Sequence, residues 1–201
     1  MTAQHPAEVP RALALVGMAG AGKSVLAEYL AAKGFYKLRF GQIVVDEVAR
    51  RGLPLNPHNE QLVRESLRDI GGMNAIADLA LPYLQNALQV HQTIVIDGLY
   101  GFGEYKLLRA NLGAPMVVIC VTCDRPLRYN RLTNRAERPL TLAEAEERDI
   151  REIELMEKGG PIALADYTLI NNTSPADLLT QLETVLATLG IVPPIHNDQI
   201  N

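Results

Sequence analysis

The residues with the most chemical content lie in one stretch, GMAGAGKS, from Gly17 to Ser24. Glycines there let the backbone wrap tightly and turn N–H groups toward an anion, and a lysine and a hydroxyl follow directly. The spacing Gly17-x-x-x-x-Gly22-Lys23-Ser24 fits the Walker A pattern at every defined position. An apolar run precedes the stretch and an amphipathic run follows it. The loop therefore joins a strand to a helix, whose positive end adds to the anion site. Lys23 is expected to reach the β- and γ-phosphates of a nucleoside triphosphate, and Ser24 to ligate Mg2+. The nucleotide contacts are expected from Gly17, Gly20, Ala21, Gly22, Lys23, Ser24 and Val25. A dinucleotide site would need G-x-G-x-x-G, whereas the glycines here run G-x-x-G-x-G. A purely structural turn is the competing reading.

Asp97 ends the run TIVID, and a carboxylate at the carboxyl edge of a parallel strand is placed to hold the hydration shell of Mg2+. The bland alternative is a strand-end cap. Seven of the chain's fourteen arginines fall within residues 125–151: Arg125, Arg128, Arg131, Arg135, Arg138, Arg148 and Arg151. Positions 128, 131, 135 and 138 recur at helical spacing, which predicts that several share one face. Guanidinium forks bind phosphate bidentately and neutralise charge on γ-oxygens, so Arg131 and Arg135 are candidate catalytic residues. The competing reading is a solvated helix paired with Glu144, Glu146 and Glu147.

These groups need a frame. Five short runs read as strands: 12–16, 35–39, 93–97, 116–121 and 167–171. Several are almost wholly apolar, as strands buried on both faces of a parallel sheet are. Helical patterns separate them, predicting an α/β fold, a five-stranded parallel sheet sandwiched by helices. A helix from about Ser24 should close at Lys33 with Gly34 as left-handed cap. More than fifty residues between the second and third strands leave room for three helices. In 73–90, Ile76, Leu79, Ala80, Tyr83, Leu84, Ala87 and Leu88 share a predicted buried face, kinked at Pro82. Thr141 and Glu144 form a capping box opening a helix over 142–158, and Ser174-Pro175 opens the last one. That last helix should bury Leu178, Leu179, Leu182, Val185, Leu186 and Leu189. The ending IVPPIHNDQIN reads as a tail. The expected organisation is one domain, 1–201, with a clamp insertion at about 41–91, an arginine-rich lid at about 124–158 and a tail over 190–201.

Composition narrows the partners. With 201 residues, 48% hydrophobic and 21% charged, the chain is long enough for one packed domain and is not disordered in character. A net charge of −4 argues against nucleic-acid or anionic-membrane binding. No apolar run approaches the roughly 20 residues of a bilayer span. The start MTAQHPAEVPR lacks a basic-then-apolar leader, so a cytoplasmic protein is expected. Cys120 and Cys123 are spaced C-x-x-C, a spacing open to a redox pair, whereas a zinc site lacks a second ligand pair. They read mainly as small residues at a strand end.

With these parts in place the chain resembles the nucleoside-monophosphate-kinase-like branch of P-loop proteins, and within it a largely archaeal, dephospho-CoA-kinase-related family. The likeness covers roughly residues 12 to 188. It rests on GMAGAGKS, FGQIVVDEVARRGLP, LRDIGG, VIDGLYGFGEY, RDIREIE and IALADYTLINNTS in that order. The resemblance implies an ATP-using phosphotransferase whose acceptor is a small molecule, a nucleoside monophosphate or a dephospho-CoA-like compound. Arg68 would be a substrate-phosphate ligand, and Asn171 and Asn172 would lie near the adenine. Two positions depart from the pattern. Gln42 stands where related kinases carry an aspartate that serves as base or substrate anchor, and Asp46, one helical turn on, is a candidate substitute. Tyr100 stands where the family tends to have an arginine. Gln42 and Tyr100 are thus substrate-side positions of altered chemistry, and they favour an alternative function: a catalytically weakened nucleotide sensor.

Overall fold

The central strand sets the architecture. In β1 (Ala12–Val16) every residue is wholly buried, and alternation sends Ala12, Ala14 and Val16 to one face and Leu13 and Leu15 to the other. A strand apolar on both faces needs a layer of helices on each. The structure is a computed structural model that describes residues 12–194. The starting segment MTAQHPAEVPR and residues 195–201 of the tail considered above lie outside the described residues.

One sheet of five parallel strands runs in the order β2-β3-β1-β4-β5, with β2 (Tyr36–Arg39), β3 (Ile94–Asp97), β4 (Met116–Thr122) and β5 (Tyr167–Ile170). One helical layer holds α1 (Lys23–Ala32) and α9 (Pro175–Thr188), which pack Leu26, Leu30, Leu178 and Leu182 onto Leu13 and Leu15. The other holds α2 (Phe40–Arg50), α3 (Pro57–Gly71), α4 (Ala75–Val90) and α5 (Phe102–Asn111), packed on Ala12, Ala14 and Val16. The remaining helices are α6 (Arg125–Asn134), α7 (Leu142–Glu154) and the short α8 (Gly159–Ala163). The expected α/β sandwich is the fold observed. Among the described residues no helix is long and apolar enough to cross a membrane.

Register places the chemistry. Leu15 pairs with Asp97 and Val16 with Cys120, so the ends of β1, β3 and β4 open onto the same edge of the sheet. Lys33 caps α1 with Gly34 beyond it in the left-handed region, and the boxes at Thr141/Glu144 and Ser174/Asp177 cap α7 and α9.

Several expectations are corrected. In α4, Leu79 and Tyr83 face solvent, while Ala77 joins Ile76, Ala80, Leu84, Ala87 and Leu88 inside. The small alanines let the helix approach the sheet, and this rotates the larger side chains outward. In α9, Leu179 and Leu189 are only partly buried. The helix expected over 142–158 ends at Glu154, because Glu157 takes a positive φ of 51° and two glycines follow. The arginine row does not form one helical face. Asn134 folds its side-chain amide back onto the Asn130 carbonyl, α6 ends there, and Arg135 is extended. Arg128 turns inward and pairs with Asp149 rather than Glu144, Glu146 or Glu147. Its two terminal nitrogens lie 3.1 and 2.5 Å from the two Asp149 oxygens, and one also donates to the Ala19 carbonyl at 2.9 Å.

Arg128 and Asp149 are both buried, so removing one partner strands a charge away from water. Asp149→Ala is expected to cost about 3–5 kcal/mol of stability, read as a lower urea midpoint at unchanged slope. The double change Arg128→Met with Asp149→Leu should recover most of the loss. An Asp149→Ala protein as stable as the parent would show that the pair does not hold α6 to α7.

Candidate functional site

Past Val16 the chain turns under the sheet edge so tightly that side chains are excluded. A Cβ on Gly17 (φ 135°) would lie 2.2 Å from the Val121 carbonyl oxygen, and one on Gly22 (φ 113°) 2.2 Å from the Asn171 amide nitrogen. Gly22 caps α1 without a side-chain acceptor, and no acidic residue occupies the first turn. The positive end of that helix is left to whatever anion enters the loop. Lys23 lies back across the loop, donating to the carbonyls of Gly17 at 2.6 Å and Met18 at 3.1 Å. Withdrawal of this ammonium from water pushes its pKa from 10.5 down to about 7; Lys158 and Arg148 push the same way, while Glu152 and Asp97 resist. Ser24 is exposed on the first turn, and the Val25 N–H bonds the Gly22 carbonyl. Asp97 ends β3 beside Leu15. Burial raises its pKa, against the pull of Arg39 and Lys23.

The β5 end of the sheet is tied directly to the loop. Asn171 is buried and donates its amide to the Ala21 carbonyl at 2.8 Å, while its side-chain oxygen is buried without a hydrogen-bond partner. Asn172 accepts from the Asp124 N–H, ahead of α6. Arg131 donates to the Asn171 carbonyl at 2.9 Å and to Cys123 Sγ at 3.3 Å, which places it at the Asn171 end of the loop. Cys120 and Cys123 are buried free thiols. Arg135 donates to the Arg138 carbonyl and feels Arg148, which in turn acts on Lys23.

A second set lies on the β3 side. Buried Glu104 accepts from the N–H groups of Tyr100 and Gly101 at 2.8 and 3.1 Å, which fixes the loop after Asp97. Arg68 on α3 is half-buried, with its Nε lacking a hydrogen-bond partner; Glu104 attracts it, and Arg64 and Arg151 crowd it with like charge. Gln42 and Asp46 are exposed on α2 and bond to each other at 2.8 Å.

Sequence reasoning left Glu152 and Lys158 unassigned and gave Arg148 no role beyond its place in the arginine cluster. Glu152 accepts from Arg148 at 3.0 Å and from Lys158 at 2.5 Å, and Lys158 is only 1% exposed. The i, i+4 spacing of Arg148 and Glu152 was a visible signal. Lys158 arrives only through the turn at Glu157.

A family model described as "AAA domain" matches residues 13–154. The chain is 31% identical over 182 residues to the UPF0200 protein of Thermococcus sibiricus, covering 89% of this chain and 95% of that one. The chain belongs to the UPF0200 family. Another member, from Thermococcus kodakarensis, is 36% identical over 163 residues, 80% of this chain and 88% of its own. The UPF0200/UPF0201 protein of Archaeoglobus fulgidus is 32% identical over 182 residues, and the match spans 90% of this chain but only 56% of that longer protein. Among solved structures, shikimate kinase from Bacteroides thetaiotaomicron superposes with a TM-score of 0.59 at 12% identity, covering 90% of this chain and 99% of that one. A gluconokinase from Sinorhizobium meliloti gives 0.54 at 13% identity, covering 91% and 97%. At these identities the likeness is one of fold: this UPF0200 member has the P-loop kinase-like fold that its sequence resemblance implies.

Titration of Lys23 tests the site's electrostatics. Its amine should titrate near 7, followed by side-chain nitrogen NMR; Glu152→Gln should lower the value further and Lys158→Met raise it. Because the folded value is depressed, the unfolded chain holds the extra proton between about 7 and 10.5. This group therefore makes stability rise with pH across that window. An ordinary lysine titration would show a hydrated ammonium.

Proposed function

We propose that the protein is an ATP-dependent phosphotransferase of the cytoplasm acting on a small-molecule acceptor, a nucleoside monophosphate or a dephospho-CoA-like compound. The observation that carries this reading is the loop itself: glycines at positions where a Cβ would clash, a helix end with no side-chain cap, and Lys23 folded back across the loop onto two carbonyl oxygens. A triphosphate would draw Lys23 off those carbonyls onto the β/γ oxygens and restore its full charge. Among the described residues no three His, Cys, Asp or Glu side chains converge as a metal site. Ser24, exposed on the first turn of α1, and Asp97, at the end of β3, would hold Mg2+, which would supply charge neutralisation for the phosphates.

The chain's own groups divide the remaining work. Arg68, with an unsatisfied buried Nε on the clamp side, is the candidate ligand for an anionic group of the acceptor. Tyr100 and Gln42 line the acceptor side. Arg135, near Arg148, is the candidate to meet charge on the transferring phosphoryl. Arg131 and Asn171 are joined at the opposite end of the loop, with Asn172 adjacent, where the base would lie.

A second reading, a nucleotide sensor with weakened chemistry, is favoured by one observation. Gln42 cannot take a proton, and its amide is engaged by Asp46. In a working kinase Asp46→Asn should cut turnover by an order of magnitude or more and spare ATP binding. In a sensor, Gln42→Asp should raise phosphoryl transfer above the parent level. Transfer from ATP across a panel of acceptors, compared among the three proteins, separates the two by sign.

Binding has its own test. Lys23→Ala should abolish tight ATP·Mg2+ binding in calorimetry. Because free Lys23 is largely neutral above about 7, ATP binding at pH 8 should take up close to one proton, read from buffers of differing ionisation enthalpy. Unchanged affinity in folded Lys23→Ala would show that the loop is not the site.

A further inference from the structure

Lys158 is a buried lysine that the reading above leaves without a task. The turn after α7 folds it inward, with its backbone N–H bonded to the Glu152 carbonyl and its ammonium 2.5 Å from the Glu152 carboxylate. The same turn is pinned to the loop that follows Asp97. Phe102 donates its N–H to the Met156 carbonyl, and a Cβ on Gly101 would lie 2.8 Å from that same oxygen. The ammonium hangs over the Tyr100 ring, 4.8 Å from its centroid. Lys158 is thus set against the loop that continues from β3, three residues past Asp97, which pairs with Leu15 just ahead of the phosphate loop. Among neighbouring charges it acts most strongly on Lys23.

The local charge does not balance. Arg148 and Lys158 both disfavour the charged form of Lys23, and Glu152 and Asp97 favour it. Arg148 and Lys158 share the one carboxylate of Glu152. A buried lysine–glutamate pair costs desolvation that its own attraction barely offsets, and here it leaves an excess cation beside a loop built for anions. Glu152 accepts the hydrogen bonds that phosphoryl oxygens would accept. We propose that Lys158 is a ligand of the terminal phosphoryl group of the bound triphosphate, held in the free protein by Glu152 and passed to the phosphoryl when nucleotide enters. The inference rests on the nucleotide-binding reading of the loop. It adds a cation from outside that loop, on the side from which an acceptor approaches, where charge on the transferring group is least screened by Lys23.

A ligand of the terminal phosphoryl distinguishes ATP from ADP, whereas a structural lysine does not. Calorimetric affinities for Mg2+·ATP and Mg2+·ADP should be compared in the parent, Lys158→Met, Glu152→Gln and Lys23→Ala. Lys158→Met should weaken ATP about 10-fold or more, the size of one charge-assisted hydrogen bond, and leave ADP within about twofold. Glu152→Gln, which releases Lys158 from its competitor, should strengthen ATP relative to ADP. That second variant decides the matter if Lys158→Met fails to fold. Equal losses for ATP and ADP in Lys158→Met, or weaker ATP binding in Glu152→Gln, overturn the assignment and leave the pair structural. ATP binding that is lost in Lys23→Ala but indifferent to Lys158→Met overturns this inference alone. A parent protein that binds neither nucleotide overturns it together with the reading of the loop.

Discussion

The Lys23 amine folded back onto two peptide carbonyls is the constraint on which the site is built. Lys23 satisfies two carbonyl oxygens at the cost of leaving water. The loop reaches this shape only because glycine stands where the Val121 carbonyl and the Asn171 amide press against it. The positive helix end and the nearby cations have the same sign, so the site is strained electrostatically rather than sterically. Every neighbouring feature then divides into groups that aggravate the excess, Lys158 and Arg148, and groups that temper it, Glu152 and Asp97.

The sheet delivers these groups together by register. Leu15 opposite Asp97 and Val16 opposite Cys120 bring three strand ends level, and the segments leaving those ends carry Lys23, Tyr100 and Arg131. The same alternation that buries Leu13 and Leu15 against α1 and α9 therefore fixes where the phosphate loop emerges. Fold and site are one consequence of the β1 pattern.

How much of this was readable in the chain depends on sequence distance. The strand ALALV, the loop after it, both capping boxes and the helix within 73–90 follow from local patterns and stand where expected, and the length between β2 and β3 is filled by three helices. The arginine row misled, because the fate of Arg128 is set by Asp149, 21 positions on, and that of Arg135 by a helix stop at Asn134. No periodicity reports such pairings. Lys158 escaped notice for a similar reason. An ordinary lysine before two glycines reads as solvated, and only the positive φ at Glu157 turns it inward. Leu79 and Tyr83 erred differently: hydrophobicity gave a face, while the small size of Ala77 and Ala80 chose which part of it met the sheet.

The contact of Arg128 with the Ala19 carbonyl has a mechanical side. One guanidinium grips both the floor of the phosphate loop and, through Asp149, the middle of α7. α6 and α7 are thus fastened both to each other and to the loop backbone. In the short span joining α6 and α7, Arg138 reaches across to Glu60 on α3. The single Arg128 side chain thereby couples the backbone of the phosphate loop to α7, so the position of that helix is tied to the shape of the loop.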